Sequence, residues 1–246
     1  MLTIERADLT NPTSKKVVKD ILSQAINGEL IGMSNFSSLV ETVEDYAEKM
    51  EAAEHADSER SHAERFIKIA RKNNIDPIVN LEGVYWKTLR SRFLKYAAEK
   101  DFIACLIIQE VMLESFAVSM YKDTGEAIGG EIGKLLSHTS EEEKEHLSHS
   151  IEILQKELAL DPEKFISKFE RVHYDCMTIL AEWSATSDPR GHCGICDGEC
   201  MKQDLNSIGL DIQHLRANAF NLYIKSMDEI GLPTELSTVW MVNLPA

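Results

Sequence analysis

Proline and glycine are scarce, at 6 and 12 of 246 residues. That leaves few places for the chain to turn or break. Strict apolar–polar alternation is nearly absent, so strands are not indicated. No segment approaches the roughly 20 apolar residues of a membrane span. The best run, Phe102 to Ile108, is followed by Gln109, Glu110 and Glu114. Met1 to Lys16 contain no apolar stretch of signal-peptide length, so a cytoplasmic protein is expected. Positive charge is short as well. Lys and Arg total 26 against 41 Asp and Glu, a net charge of −15. Duplex nucleic acid and anionic membranes are therefore poor partners. There is no phosphate-binding glycine loop, no Gly-x-Ser-x-Gly nucleophile and no dinucleotide fingerprint. The five cysteines are an odd number, and three lie within eight residues. In a cytoplasmic chain this points to metal or redox chemistry rather than to structural disulfides.

What is present favours helix throughout. Hydrophobic residues make up 43% of the chain, and Ala, Leu, Ile, Glu and Lys dominate most of it. The length suffices for a core without covalent staples. Helices are expected over about 14–38, 42–73, 78–100 and 101–122, with a break at Thr124-Gly125 and Gly129-Gly130. A fifth runs to about Leu160, and Asp161-Pro162 starts a sixth. Ser187 to Cys200 reads as a loop, and a last helix covers about 201–230 before Gly231-Leu232-Pro233. No linker is evident, so residues 1–246 are read as one all-α domain.

Two Glu-x-x-His pairs stand out, Glu59-Arg-Ser-His62 and Glu143-Lys-Glu-His146. Residues three apart share a helix face, so both side chains of a pair reach one ion. Glu29 precedes the first pair by 30 residues and Glu114 precedes the second by 29. The chain thus reads as two helical hairpins, each with a lone Glu and then a Glu-x-x-His. This is the ligand set of the ferritin-like di-iron and di-manganese carboxylate bundles. Glu114 lies in a strongly apolar segment with no Lys or Arg before Lys122. A buried carboxylate there needs a cation. Four carboxylates balance two divalent ions, and the mixed N/O set suits iron or manganese. Glu110, one turn from Glu114, is a candidate supporting group or extra ligand. Glu170-Arg-Val-His173 has the same spacing and is read as a decoy. His149 is read as a surface residue, and His55 and His138 show no partner pattern.

At these residues the chain resembles the cyanobacterial aldehyde-deformylating oxygenases. The matching stretches are Asn27-Gly28-Glu29, Glu59-Arg-Ser-His62-Ala-Glu-Arg-Phe66, Cys105-Leu-Ile-Ile-Gln109, Leu113-Glu114-Ser-Phe116-Ala-Val-Ser-Met-Tyr121, Glu143-Lys-Glu-His146-Leu147 and Asp228-Glu-Ile-Gly231. The resemblance implies a ferritin-like four-helix bundle with additional helices. It implies two iron ions on Glu29, Glu59, His62, Glu114, Glu143 and His146, with O2 as co-substrate. Gln109 and Tyr121 match positions near that family's active site. The implied reaction turns a fatty aldehyde into an alkane and formate, with electrons from a ferredoxin-like donor. Two departures mark a divergent relative. Ala70 stands where those enzymes carry a cysteine, eight residues after the first ligand histidine, and the Cys-rich loop is additional.

Gly32, Met33 and Phe36 lie one and two turns beyond Glu29 on its face. With Phe116, Ala117 and Tyr121 they are expected either to line an apolar substrate pocket or to form ordinary core. In the loop, His192, Cys193, Cys196 and Cys200 offer a second metal or redox site. It reads as structural zinc completed by His192, Cys176, His173 or His214, as a Cys193–Cys196 redox pair, or as an inert reduced loop. Arg65, Lys68, Arg71 and Lys72 form a basic strip, either a solvated face or a dock for an acidic electron carrier. Three functions stay open: deformylation of an aldehyde, hydroxylation, desaturation or N-oxygenation of a biosynthetic intermediate, and non-catalytic iron binding. The oligomeric state is not legible.

Overall fold

The computed structural model describes residues 7–185 and 193–244. Four long helices build the core. They are α1 (Pro12–Thr42), α2 (Tyr46–Lys72), α4 (Phe102–Ile128) and α5 (Gly130–Leu160). Helix α1 pairs with α2, and α4 with α5, across short turns. Helix α3 (Val84–Ala98) lies between the two hairpins in the chain and packs on α1. Helices α6 (Pro162–Ser184), α7 (Ile212–Ile230) and α8 (Thr234–Val242) complete the fold. Among the described residues there is no strand. This is a ferritin-like architecture.

Local chemistry sets the helix starts. Asn11, Asp45 and Asp101 each cap an N-terminus, accepting hydrogen bonds from backbone amides of the first turn. The expected break at Thr124-Gly125 does not occur, and α4 runs on to Ile128. Gly125 is there for close approach to α5. A Cβ on Gly133 would stand 2.2 Å from the Gly125 carbonyl oxygen, so both helices need a bare backbone at this crossing. The last long helix starts at Ile212 rather than near 201. Met201–Gln203 and Leu205–Ile208 form 3-10 turns instead, and Asp211 supplies the cap. Helix α8 was not expected from the sequence.

Helix α4 corrects one expectation. Over its 27 residues it is long and apolar enough to cross a membrane, with a best mean hydropathy of 1.7. However, 83% of that window is buried within the bundle, as the central helix of a core must be. Buried apolar residues form two clusters. One holds Phe36, Leu39, Phe116 and Leu147, the other Ile26, Phe66, Tyr121 and Leu136. Between them, along all four core helices, lies a layer of buried carboxylates and imidazoles.

Candidate metal centre and its cavity

Glu29 comes from α1, Glu59 and His62 from α2, Glu114 from α4, and Glu143 and His146 from α5. All six are at least 95% buried. They converge in two overlapping groups, each with its donor atoms within 4.8 Å of one another. The first holds Glu29, Glu59, His62 and Glu143, and the second holds Glu59, Glu114, Glu143 and His146. Glu59 and Glu143 belong to both. His62 Nδ1 stands 3.0 Å from Glu29 and 2.7 Å from Glu143. His146 Nδ1 stands 2.9 Å from Glu143 and 3.6 Å from Glu59.

Neighbouring groups hold these side chains. Nε2 of His62, the nitrogen turned away from the cluster, faces Ser58 and Glu142, and Arg65 donates to Glu142 at 2.7 Å. Arg65 of the basic strip is therefore committed to the site's support. Lys72 pairs with Glu131, while Lys68 and Arg71 are exposed. Tyr121 donates its hydroxyl hydrogen bond to Glu29. Gln109 donates to Glu114 at 2.9 Å and accepts from Asn35 at 2.8 Å.

That Gln109–Glu114 contact spans five residues, which an α-helix would place on different faces. Helix α4 achieves it with a π-helical stretch, Ile107–Leu113, whose repeat is wider than α. The same turn moves Glu110 away from Glu114. Glu110 instead faces His55 at 3.7 Å and His149 at 3.5 Å. The sequence reading put His149 at the surface and gave His55 no partner; the structure joins both to Glu110. His55 is 7% exposed and packs against His146, with ring centres 4.1 Å apart.

Glycine at position 32 serves Glu59 rather than a pocket. A Cβ there would lie 2.7 Å from a Glu59 carboxylate oxygen. Gly32→Ala is expected to keep the fold and to weaken metal binding about tenfold, at the lower end of disturbing a ligand's support. Metal titration of the variant against wild type checks this, and equal affinities would refute it.

The electrostatics call for cations. Burial, and then the charges of Glu143, Glu29 and Glu114, push the Glu59 carboxyl far above the usual range. Burial and Glu143 do the same to Glu114. Burial opposes charge on Glu143, but the imidazoles of His146 and His62 outweigh it and hold this carboxyl at about 2. Burial likewise opposes charge on His62, yet Glu143 and Glu29 raise it to about 10. Protons thus stand in for positive charge. Glu59 Oε1, both Glu143 oxygens and His146 Nδ1 have no hydrogen-bond partner although buried. Orphaned donor atoms of hard N/O type, arranged around two shared carboxylates, fit a pair of divalent transition ions.

A cavity of about 180 Å³ opens against this cluster. Its inner end is Glu29, Glu59, Glu114, Gln109 and Tyr121, and its walls include Leu113, Phe116, Ala117, Met120, Leu180 and Leu215. The expected Phe116, Ala117 and Tyr121 do line it. Gly32, Met33 and Phe36 do not, and Ile21, Gln24, Ala25 and Gly28 take that side. The reason is geometric. Helical side chains lean toward the N-terminus, so Glu29 projects over the turn before it, not the turn after. Phe36 packs edge-on to His55 and His146 instead.

The cysteine loop lies beside α1. Asp20 accepts from the Asp197 amide at 2.9 Å, and Lys19 pairs with Asp197. Cys193 and Cys196 are buried, and Cys196 sits in thiol hydrogen-bond contact with both Cys193 and Cys200. The Cys196 contact holds the Cys193 thiol down at about 6. Gln24, a cavity residue, reaches Cys193 at 3.6 Å. His192 falls outside the described residues. Of the other candidate fourth ligands, His173 is buried between Tyr223 and the Trp240 carbonyl, and His214 contacts Asn218. Glu170 accepts from the Trp240 indole, so the third Glu-x-x-His pair braces α6 against α8.

Residues 13–169 match the model of a family described as long-chain fatty aldehyde decarbonylase. A solved structure from Synechococcus, described as protein 19 with aldehyde deformylating oxidase activity, superposes with a TM-score of 0.77. The match covers 96% of this chain and 99% of that one, at 17% identity, a likeness of fold.

Proposed function

We propose, for a chain that belongs to the long-chain fatty aldehyde decarbonylase family, that it is a di-iron oxygenase that deformylates an apolar aldehyde. The observation that carries this reading is an apolar-walled cavity that ends on the six-residue carboxylate–histidine cluster. Glu29, Glu59, His62, Glu114, Glu143 and His146 would hold two iron ions, which when bound supply the activation of O2.

The chain's own residues do the rest. The wall of Leu113, Phe116, Ala117, Met120 and Leu215 takes an alkyl chain and leaves its polar end at the carboxylates. The same wall keeps water from the reacting end. Tyr121 keeps its proton, because burial and Glu29 hold the phenol well above its ordinary range. That proton stays on the hydrogen bond to Glu29 and fixes one carboxylate orientation. The Gln109 amide, steadied by Asn35, fixes Glu114 in the same way. A small-molecule substrate and a separate electron-donor protein complete the scheme. One folded domain houses all of it.

The test is product analysis. Protein loaded with ferrous iron without air receives a long-chain aldehyde, O2 and a reducing system. The expected products are formate and an alkane one carbon shorter, in equal amounts. Consumption of O2 with the carbon chain intact would overturn the deformylation reading.

A further inference from the structure

A second cluster of ligand-type side chains lies outside the six-residue centre. Glu51 and His55 are one turn apart on α2, and His149 faces them from α5. One donor atom from each lies within 4.8 Å of the others. Glu51 Oε1 stands 3.3 Å from His55 Nε2. Glu48 Oε2 stands 3.5 Å from His149 Nε2. Two ligands on one tetrahedral ion are separated by about 3.4 Å when the bonds are about 2.1 Å. These separations are of that size.

The inner side of the cluster is the second observation. Glu110 is 98% buried and lies against Nδ1 of both imidazoles, 3.7 Å from His55 and 3.5 Å from His149. Apart from one another, Glu110 Oε2 and the two Nδ1 atoms have no hydrogen-bond partner. A carboxylate behind an imidazole is the arrangement that fixes a metal-binding histidine. It takes the proton of one ring nitrogen and turns the lone pair of the other toward the ion. Here one buried carboxylate serves two histidines, and both Nε2 atoms face the carboxylates of α2. The outer side is open, since the Glu51 side chain is 41% exposed and that of His149 is 26% exposed. An ion has a path from solvent.

We infer that Glu51, His55 and His149, backed by Glu110, form a third site for a divalent first-row transition ion next to the six-residue centre. Two imidazoles and a carboxylate leave coordination positions free, which Glu48 or water fills. The site shares no ligand with the six-residue centre, but His55 packs on the ring of His146. An ion there would border the di-metal centre on its solvent side.

Manganese(II) is the probe, because thiolates bind it poorly and the cysteine loop stays out of the count. Metal-free protein is titrated, and free manganese is followed by its electron paramagnetic resonance signal. Wild type is expected to bind three ions per chain, and His149→Ala and Glu51→Gln two each. Both positions are partly exposed, so the fold survives, as circular dichroism will show. The inference falls if either variant binds as many ions as wild type, which would leave the cluster a set of ion pairs. Glu143→Ala is scored apart. Retention of a single ion supports the third site and the di-metal reading together. Undiminished binding there refutes the di-metal reading alone.

Discussion

Glu143→Ala is expected to lose both ions proposed for the buried centre, and with them the oxygenase activity. Glu143 belongs to both donor groups, so its removal takes one ligand from each position at once. Its two oxygens are buried, and without an ion only the imidazoles of His62 and His146 face them. Glu29 makes the informative contrast, because it belongs to one group only. Glu29→Ala is expected to keep one tightly bound ion and to lose the other. Loss of an outer-shell partner costs about 10–100-fold in metal affinity, so loss of a shared ligand should exceed about 100-fold. Iron per chain after anaerobic loading and desalting measures both variants. A Glu143→Ala protein that still carries two ions would remove the basis for placing the metals here.

How far the sequence alone led depended on which period each residue obeys. Glu59 with His62 and Glu143 with His146 follow the α-helical repeat, so three-residue spacing put each pair on one face. Glu114 lies in a strongly apolar segment, where a costly carboxylate is itself a signal, and Glu29 showed itself by leading the first pair by 30 residues as Glu114 leads the second by 29. The π turn at Ile107–Leu113 breaks that repeat. It brings Gln109 beside Glu114 and sends Glu110 to His55 and His149, and no α-periodic reading can yield that exchange. His149 looked like one more residue of a polar stretch, because its partner Glu110 is 39 positions away on another helix. Pocket or core stayed open for Gly32, Met33 and Phe36 because spacing gives a face but no direction along it, and Phe36 proves to be core. Gly125 was taken for a helix breaker because contact with Gly133 is a tertiary fact.

Metal uptake by the buried centre should strengthen steadily as pH rises, and each ion taken up should release protons. Glu59 and Glu114 have carboxyls raised well above 4.5 by burial and by neighbouring carboxylates, and His62 is raised to about 10 by Glu143 and Glu29. In the metal-free protein His62 holds its proton at neutral pH, the Glu59 and Glu114 carboxyls keep theirs to higher pH than an ordinary carboxyl does, and each proton occupies a donor atom the ion needs. Glu143, held at about 2, is already bare. The sign for stability follows from the same shifts. The raised carboxyls of Glu59 and Glu114 stabilise the metal-free fold fully below their unfolded value near 4.5. That stabilisation is lost as pH climbs through their folded values. His62 acts in the same direction, its contribution present below 6.5 and lost as pH rises through about 10. The metal-loaded protein carries no such protons and no such loss. The gap in Tm between loaded and metal-free protein should therefore widen from pH 5 to pH 8, and affinity should rise at least about tenfold over that interval. Calorimetric titration with manganese(II) in two buffers of different ionisation enthalpy counts the protons released. A count of zero, with affinity level across the interval, would mean that the carboxylates are already ionised without metal. The buried cluster would then have another source of positive charge.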